Sequence, residues 1–256
     1  MSLTRLALRF AAPAPKVEGF QRYLFLGPHP DDIEIGAGAT AAKLAAAGKQ
    51  VCFLICTDGR FGLEHAPQGT TPEELIELRK AEAMASAKAL GVTDVRFLNF
   101  SDGGFYEFED LVRAAAQVVG DFQPQILLAP DPDVASECHV DHRWVGEASK
   151  RLAFFAPFPE VMARYGAKAA PVQALAFYMT AKPNRFVGTR GLLQQQLQAI
   201  LCHKTQFQED SEAFKSVALY LKLRAADFGL RSLKGQAEGF RILGQTHMHC
   251  LPEAGQ

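Results

Sequence analysis

The sequence predicts an α/β fold: a Rossmann-like, doubly wound, mostly parallel sheet with a C-terminal α/β extension. Three observations predict it. Strand-length apolar runs alternate with helix-like segments four times before residue 156. Those runs are continuously apolar, as in strands covered by helices on both faces. A polar cluster follows each run, on the carboxyl edge where parallel sheets hold their ligands.

The elements follow in order. Residues 22–26 read as a short buried strand. "GAGATAAKLAAA" (36–47) is alanine-rich and reads as a helix ended by Gly48. "QVCFLICT" (50–57) is a second strand. The loop after it, to about residue 72, is long enough to suggest function. A helix follows, with Thr71 as N-cap, Pro72 in its first turn and Gly91 past its end. "VRFLNF" (95–100) is the third strand, residues near 107–121 a helix, and "QILLAP" (125–130) the fourth strand. Another helix starts close to Asp141. Beyond residue 156 the pattern changes. "ALAFYMT" (174–180) reads as a strand, and 192–207 and 211–230 as helices. With no repeat and no low-complexity linker, the chain reads as a single domain, 1–256, with its core at about 22–155 and an extension at about 156–256.

Composition narrows the function. The chain has 256 residues, 48% hydrophobic and 21% charged, an ordinary globular balance. Its 27 basic and 28 acidic residues leave a net charge of −1, which argues against a nucleic-acid partner held by bulk charge. No run approaches the roughly 20 apolar residues of a membrane span. Arg9 interrupts any secretory h-region. Cys52, Cys56, Cys138, Cys202 and Cys250 are odd in number and form no Cys-x-x-Cys pair, which fits buried, reduced thiols in a cytoplasmic protein.

Two clusters carry the chemistry. "HPDD" places His29, Asp31 and Asp32 after the first strand. "CHVDH" places His139, Asp141 and His142 after the fourth. Each alone is ordinary turn or helix-cap chemistry. At the ends of two strands of one sheet, they supply what a catalytic zinc site takes: two histidines, a carboxylate and an open position for water. Asp31, beside a ligand and pointing elsewhere, is then free to act as a base.

"PHPDDIEIGAGAT", "ELRKAEA" and "HVDH", supported by "CTDGR", "SDGG", "HKTQF" and "AEGF", resemble the PIG-L/LmbE-like zinc N-deacetylases over about residues 22–243. The resemblance implies removal of an acetyl group from an N-acetylglucosamine-type sugar or small sugar conjugate. It implies His29, Asp32 and His142 as ligands of Zn²⁺, with Fe²⁺ or another divalent metal as the alternative. It implies Asp31 as general base, His139 as the histidine that assists the tetrahedral intermediate, and Asp141 as the acid that orients it. Arg79 and Asp102 match sugar-contacting positions, and relatives imply a homo-oligomer, a trimer or hexamer. This sequence departs from the pattern twice. Ile33 stands between the second aspartate and Glu34. Glu137-Cys138 replaces the more usual approach to the second histidine motif, and a proline is lost within it. The departures bear on loop shape and substrate fit more than on the metal.

Rival readings remain for single residues. Arg79 could be a surface arginine paired with Glu82, three positions on. Asp102 could be a turn residue before Gly103-Gly104. Asp141 beside His139 is expected to favour the imidazolium. Gln206 is a weaker site candidate, and His203 reads as structural. Cys138 reads as a small buried thiol, Trp144 as a packing residue, and the His247–His249 pair as tail surface. Gly36-x-Gly38 lacks a third glycine, and the acids around it would repel a pyrophosphate. Residues 156–172 are expected, with the 58–72 loop, to rim the substrate groove. Two other functions stay open: another small-molecule metalloamidase, and a non-catalytic carbohydrate-binding protein.

Overall fold

The computed structural model describes residues 3–63, 66–249 and 251, so Cys250 and two residues of the long loop, Glu64 and His65, lie outside it. Five strands run parallel: β1 (Arg22–Gly27), β2 (Gln50–Thr57), β3 (Asp94–Phe100), β4 (Ile126–Pro130) and β5 (Ala174–Tyr178). Two more follow, β6 (Arg185–Gly188) and β7 (Ala237–Gly244). β7 lies antiparallel between β5 and β6, completing a seven-stranded sheet of order β3-β2-β1-β4-β5-β7-β6. β1 lies inside the sheet between β2 and β4, with Tyr23 level with both Val51 and Ile126. The chain changes its direction of growth between β1 and β4, and a crevice opens there beyond the strand ends.

Helices cover both faces. On one side lie α2 (Asp32–Ala46), α3 (Pro72–Ala89) and α7 (Leu193–Ile200). On the other lie α4 (Phe108–Phe122) and α5 (Val140–Phe155). Alternate side chains of one strand feed the two cores: Tyr23 and Phe25 enter the first, Leu24 and Leu26 the second. All four are essentially inaccessible, and each such burial contributes roughly 1.5–3 kcal/mol.

Local sequence sets several boundaries. Thr71 caps α3, its hydroxyl accepting from the Glu74 N–H while Glu74 accepts from the Thr71 N–H. α2 begins at Asp32, four residues before the alanine-rich stretch, and leaves helical geometry at Ala37 (φ −153°, ψ 19°). The predicted start at Gly36 thus falls just before its second segment. A Cβ on Gly36 would come within 2.2 Å of the Tyr178 ring, so only glycine lets the helix approach the sheet there.

The extension departs most from expectation. α1 (Leu3–Ala11), α6 (Pro159–Arg164), β6 and β7 were not foreseen, and the 192–207 run is helical only to Ile200. α8 (Glu212–Ser232) matches the last predicted helix. The 156–172 segment lies at the amino edge of the sheet, away from the site. Ala169 O accepts from Gln123 past the end of α4, and Gln173 N donates to Gln125 O before β4. The segment lies there because α5 has already carried the chain back to that edge, and it leads, with α6 in it, into β5. Among the described residues, no helix is long and apolar enough to cross a membrane.

Candidate active site

The turn after β1 closes on itself. His29 N donates to Asp32 Oδ2 (2.8 Å), and Asp32 opens α2. Between them Asp31 takes φ 139°, a region unfavourable to any residue with a Cβ, costing of order 1–3 kcal/mol. That twist sends two neighbouring carboxylates in different directions. Asp32 lies beside His29 Nδ1 (3.1 Å) and His142 Nε2 (3.4 Å). Asp31 accepts from Arg79 Nη2 (3.1 Å).

The loop after β4 supplies the other half. Its base is anchored by Asp131, which ion-pairs with Arg241 of β7 (Nε–Oδ2 2.9 Å) and accepts from Thr180. His139 caps α5, accepting at Nδ1 from the Asp141 N–H (3.3 Å). One turn on, His142 faces the crevice. One ligand atom each from His29, Asp32 and His142 lies within 4.8 Å of the others. His29 also turns its far nitrogen to a carboxylate, Nε2 hydrogen-bonding Asp141 Oδ2 (3.0 Å), while His142 Nδ1 stands 3.2 Å from Glu137 Oε2 as an ion-pair contact without hydrogen-bond alignment. Metal-binding histidines are commonly backed as His29 is, which fixes tautomer and ring orientation. By donor type, convergence and backing, this trio fits a divalent cation. A second group, His29, His139 and Asp141, meets the same distance test. It fits less well, because Gly103 N (2.7 Å), Gly104 N (2.9 Å) and Tyr106 Oη (3.0 Å) already donate to the Asp141 carboxylate.

Charge is unevenly shared. Burial pulls the His29 pKa down, but hydrogen bonds to Asp141 and Asp32 outweigh it and raise it to about 10. Burial raises Asp32, but His142 and His29 bring it well below the usual carboxylate range. Burial lifts Asp31 to about 6, against the pull of Arg79. His139 is corrected from expectation. Burial and the neighbouring His29 charge lower its pKa and outweigh Asp141, whose carboxylate stands 3.7 Å from Nδ1.

Arg79 is 4% exposed and makes three hydrogen bonds: to Asp31, to Pro30 O (2.9 Å) and to Gly59 O (3.1 Å). The surface pairing with Glu82 does not form; Glu82 accepts from Thr205 instead. Asp102 is buried in the same crevice, with Oδ2 accepting from Phe61 N (3.4 Å) and no hydrogen bond to Oδ1 among the described residues. Gln206 braces the long loop by donating to Gly62 O (2.8 Å). His203 is buried beside Glu34 (3.4 Å). Cys138, expected to be buried, is exposed, because the approach to α5 runs along the surface. Trp144 stacks edge-on against Tyr106 and Phe108. His247 ties β7 to the N-terminal segment through Gly244 N and Ala12 O. Sequence reasoning missed Tyr106, Asp131 and Arg241 and gave Glu137 no role. Only the proximity of Glu137 to "CHVDH" offered a signal; the others meet partners 35 or more positions away.

Comparison with known proteins decides the family. The family described as PIG-L, GlcNAc-PI de-N-acetylase, matches residues 24–153, which hold both halves of this cluster. The chain belongs to the PIG-L family. The diacetylchitobiose deacetylase of Thermococcus kodakarensis is 32% identical to this PIG-L protein, over 98% of this chain and 93% of its own. The 1D-myo-inositol 2-acetamido-2-deoxy-alpha-D-glucopyranoside deacetylase of Kineococcus radiotolerans is 32% identical over 64% of this chain and 53% of its own. Among solved structures, the N,N'-diacetylchitobiose deacetylase from Pyrococcus horikoshii superposes with a TM-score of 0.84 at 30% identity, covering 98% of this chain and 93% of that one. This PIG-L protein is a hydrolytic N-deacetylase.

Proposed function

We propose that this PIG-L protein hydrolyses the acetamide of an N-acetylglucosamine-type sugar or sugar conjugate, with zinc held by His29, Asp32 and His142. The observation that carries this reading is the pairing of roles in adjacent aspartates. Asp32 is shared by His29, which Asp141 backs, and His142, while Asp31 is turned away and gripped by Arg79. The relatives' named substrates, diacetylchitobiose and an acetamido-glucopyranosyl inositol, share an acetamido sugar. When bound, zinc supplies a Lewis acid and lowers the pKa of water from 15.7 towards about 7.

The chain's own groups do the rest. The Asp31 carboxylate accepts a proton from the attacking water. The water oxygen adds to the acetamide carbonyl carbon, the C–N bond breaks, and the amine leaves with a proton, giving acetate and the free amino sugar. Arg79 holds Asp31 in place and keeps its carboxyl more acidic than burial alone would allow. His139, half-exposed at the mouth, accepts at Nδ1 from the Asp141 N–H, so its Nε2–H can hydrogen-bond the developing oxyanion, and the proton taken up by Asp31 passes to the leaving amine. Asp102 offers its unbonded Oδ1 to a sugar hydroxyl.

The test pairs metal analysis with acetate release from a panel of N-acetylated sugars, for wild type and Asp31→Ala. Stoichiometric zinc, turnover in wild type and loss of turnover with metal retained in the variant are expected. A wild type without a transition metal would overturn the metal centre. Zinc binding without acetate release from any amino sugar would favour another amidase.

A further inference from the structure

A cavity of about 370 Å³ lies between α2, α7, α8 and β7, within the usual size of a small-molecule site, about 300–1,000 Å³. It is separate from the metal cluster: none of His29, Asp31, Asp32, Arg79, Asp102 or His142 lines it. It does share two walls with that cluster. Ile35 and Gly36 belong to the helix that Asp32 opens, and Val134 and Ser136 to the loop that leads to His139.

Three side chains on its wall keep acceptors free. Glu238 Oε1 accepts from Ala39 N and Gln196 Nε2, whereas Oε2 accepts from Thr40 N (2.7 Å) alone among the described residues. No cationic group there counters this carboxylate, and burial raises its pKa to about 7. Gln196, 2% exposed, directs its amide N–H₂ to Glu34 O (2.8 Å) and Glu238 (3.1 Å), and its Oε1 receives no hydrogen bond among the described residues. Thr189, 3% exposed, has a hydroxyl with no partner among those residues. Buried polar groups are ordinarily hydrogen-bonded, so these acceptors point to a ligand. They also stand together. The β6–β7 ladder sets Val187 opposite Glu238 and continues to Thr189 N, which donates to Gln236 O. Thr189 and Glu238 therefore share a face as diagonal neighbours, about 7–8 Å apart along the backbone. The rest of the wall is largely apolar, with Leu193, Leu221 and Phe228, and Arg224 is already held by Thr180 O (2.9 Å) and stacked over Phe228. Met179, also on the wall, takes φ 52°, and such backbone strain gathers at ligand sites. We propose that this cavity binds a small primary ammonium compound, its –NH₃⁺ group on Glu238, Gln196 and Thr189 and its body against Leu193, Leu221 and Phe228. The ammonium brings three donors and the charge that Glu238 lacks.

The test is calorimetry on the full chain with 2-phenylethylamine, glucosamine and the neutral 2-phenylethanol, in wild type, Glu238→Gln, Thr189→Val and Ala225→Leu. An amine is expected to bind wild type, and the alcohol at least about tenfold more weakly than 2-phenylethylamine. Glu238→Gln should weaken the amine by about thirtyfold or more, because it removes the counter-charge. Thr189→Val should weaken it by about three- to tenfold, the worth of one hydrogen bond. Ala225 lines the cavity, so Ala225→Leu should fill it and abolish binding. These last two variants keep the test decisive should Glu238→Gln fail to fold. Glucosamine binding with the same dependence on Glu238 would make the occupant an amino sugar, the kind of product the proposed deacetylation releases. Binding of 2-phenylethylamine alone would make it an amine with an apolar body from another source. No binding of either amine, equal binding of the alcohol, or affinity unchanged in Glu238→Gln and Thr189→Val would overturn the ammonium site. So would unchanged affinity in Ala225→Leu, which would place the amine elsewhere. None of these outcomes depends on the deacetylase reading above.

Discussion

Arg79 Nη2 donates to Asp31 Oδ2 at 3.1 Å, and both side chains are nearly closed to solvent. The same guanidinium holds Pro30 O and Gly59 O, so one side chain joins the turn after β1 to the loop after β2. Arg79→Ala leaves a buried carboxylate without its counter-charge, and a loss of about 3–5 kcal/mol of stability is expected. Urea unfolding checks this. Arg79→Lys, which keeps the charge but not the fork of donors, should lose less. Without Arg79 the Asp31 pKa rises above about 6, so the acid limb of the rate profile should move to higher pH in Arg79→Ala. An unmoved limb would remove Asp31 as the base.

Asp141 is expected to act on metal affinity through His29. Asp141→Asn turns an amide N–H₂ towards groups that donate to the carboxylate, and it weakens the backing of His29. Loss of such an outer partner typically costs 10–100-fold in metal affinity or activity, about the scale expected here. Competition with a chromophoric chelator measures it. Wild-type affinity in Asp141→Asn would show that the His29 contact does not tune the site.

Metal binding should displace protons. Without metal, His29 has a pKa of about 10 and His142 is also raised, whereas ligands must bind as neutral imidazole. At pH 7 at least about one proton per site should therefore be released, and affinity should fall by about tenfold for each unit of pH lost. Calorimetry in buffers of different ionisation enthalpy counts the protons. A heat independent of buffer would contradict the protonated His29.

Glu238 predicts a pH-dependent stability unrelated to the metal. Its carboxylate accepts from Ala39 N (3.1 Å), Thr40 N (2.7 Å) and Gln196 Nε2 (3.1 Å), which caps the second segment of α2 after the break at Ala37. Burial outweighs these bonds and raises its pKa to about 7. The folded state therefore holds this proton more tightly than the unfolded chain. Its contribution is fully present below about pH 4.5, falls as pH rises towards 7, and is flat above. The stability gap between wild type and Glu238→Gln should follow that curve in denaturant titrations. The variant should also be about 1–3 kcal/mol less stable, because one backbone N–H loses its acceptor. A gap that widened from pH 5 to 7 would refute the raised value.

The sequence by itself determined the layered core and the location of the site. Continuous apolar runs of strand length, bounded by turn residues, fit strands covered on both faces, and Thr71, Pro72 and Gly91 marked α3 through rules that act over a few residues. The convergence of His29, Asp32 and His142 was legible because their two clusters follow the first and fourth strands, which the same pattern located. The tertiary structure alone decided what those groups touch. Arg79 reaches Asp31 across 48 positions, Tyr106 reaches Asp141 across 35, and Arg241 reaches Asp131 across 110. Such pairs leave no periodicity in the chain, because their geometry follows from how strands order themselves in the sheet. The extension was misread for the same reason. β6 has only four residues, and β7, though it has eight, pairs with strands distant in sequence. The rim assigned to 156–172 lies at the opposite edge because the length of α5 had already returned the chain there. Local chemistry offers the candidate ligands; the folded sheet decides which carboxylate stands beside which histidine.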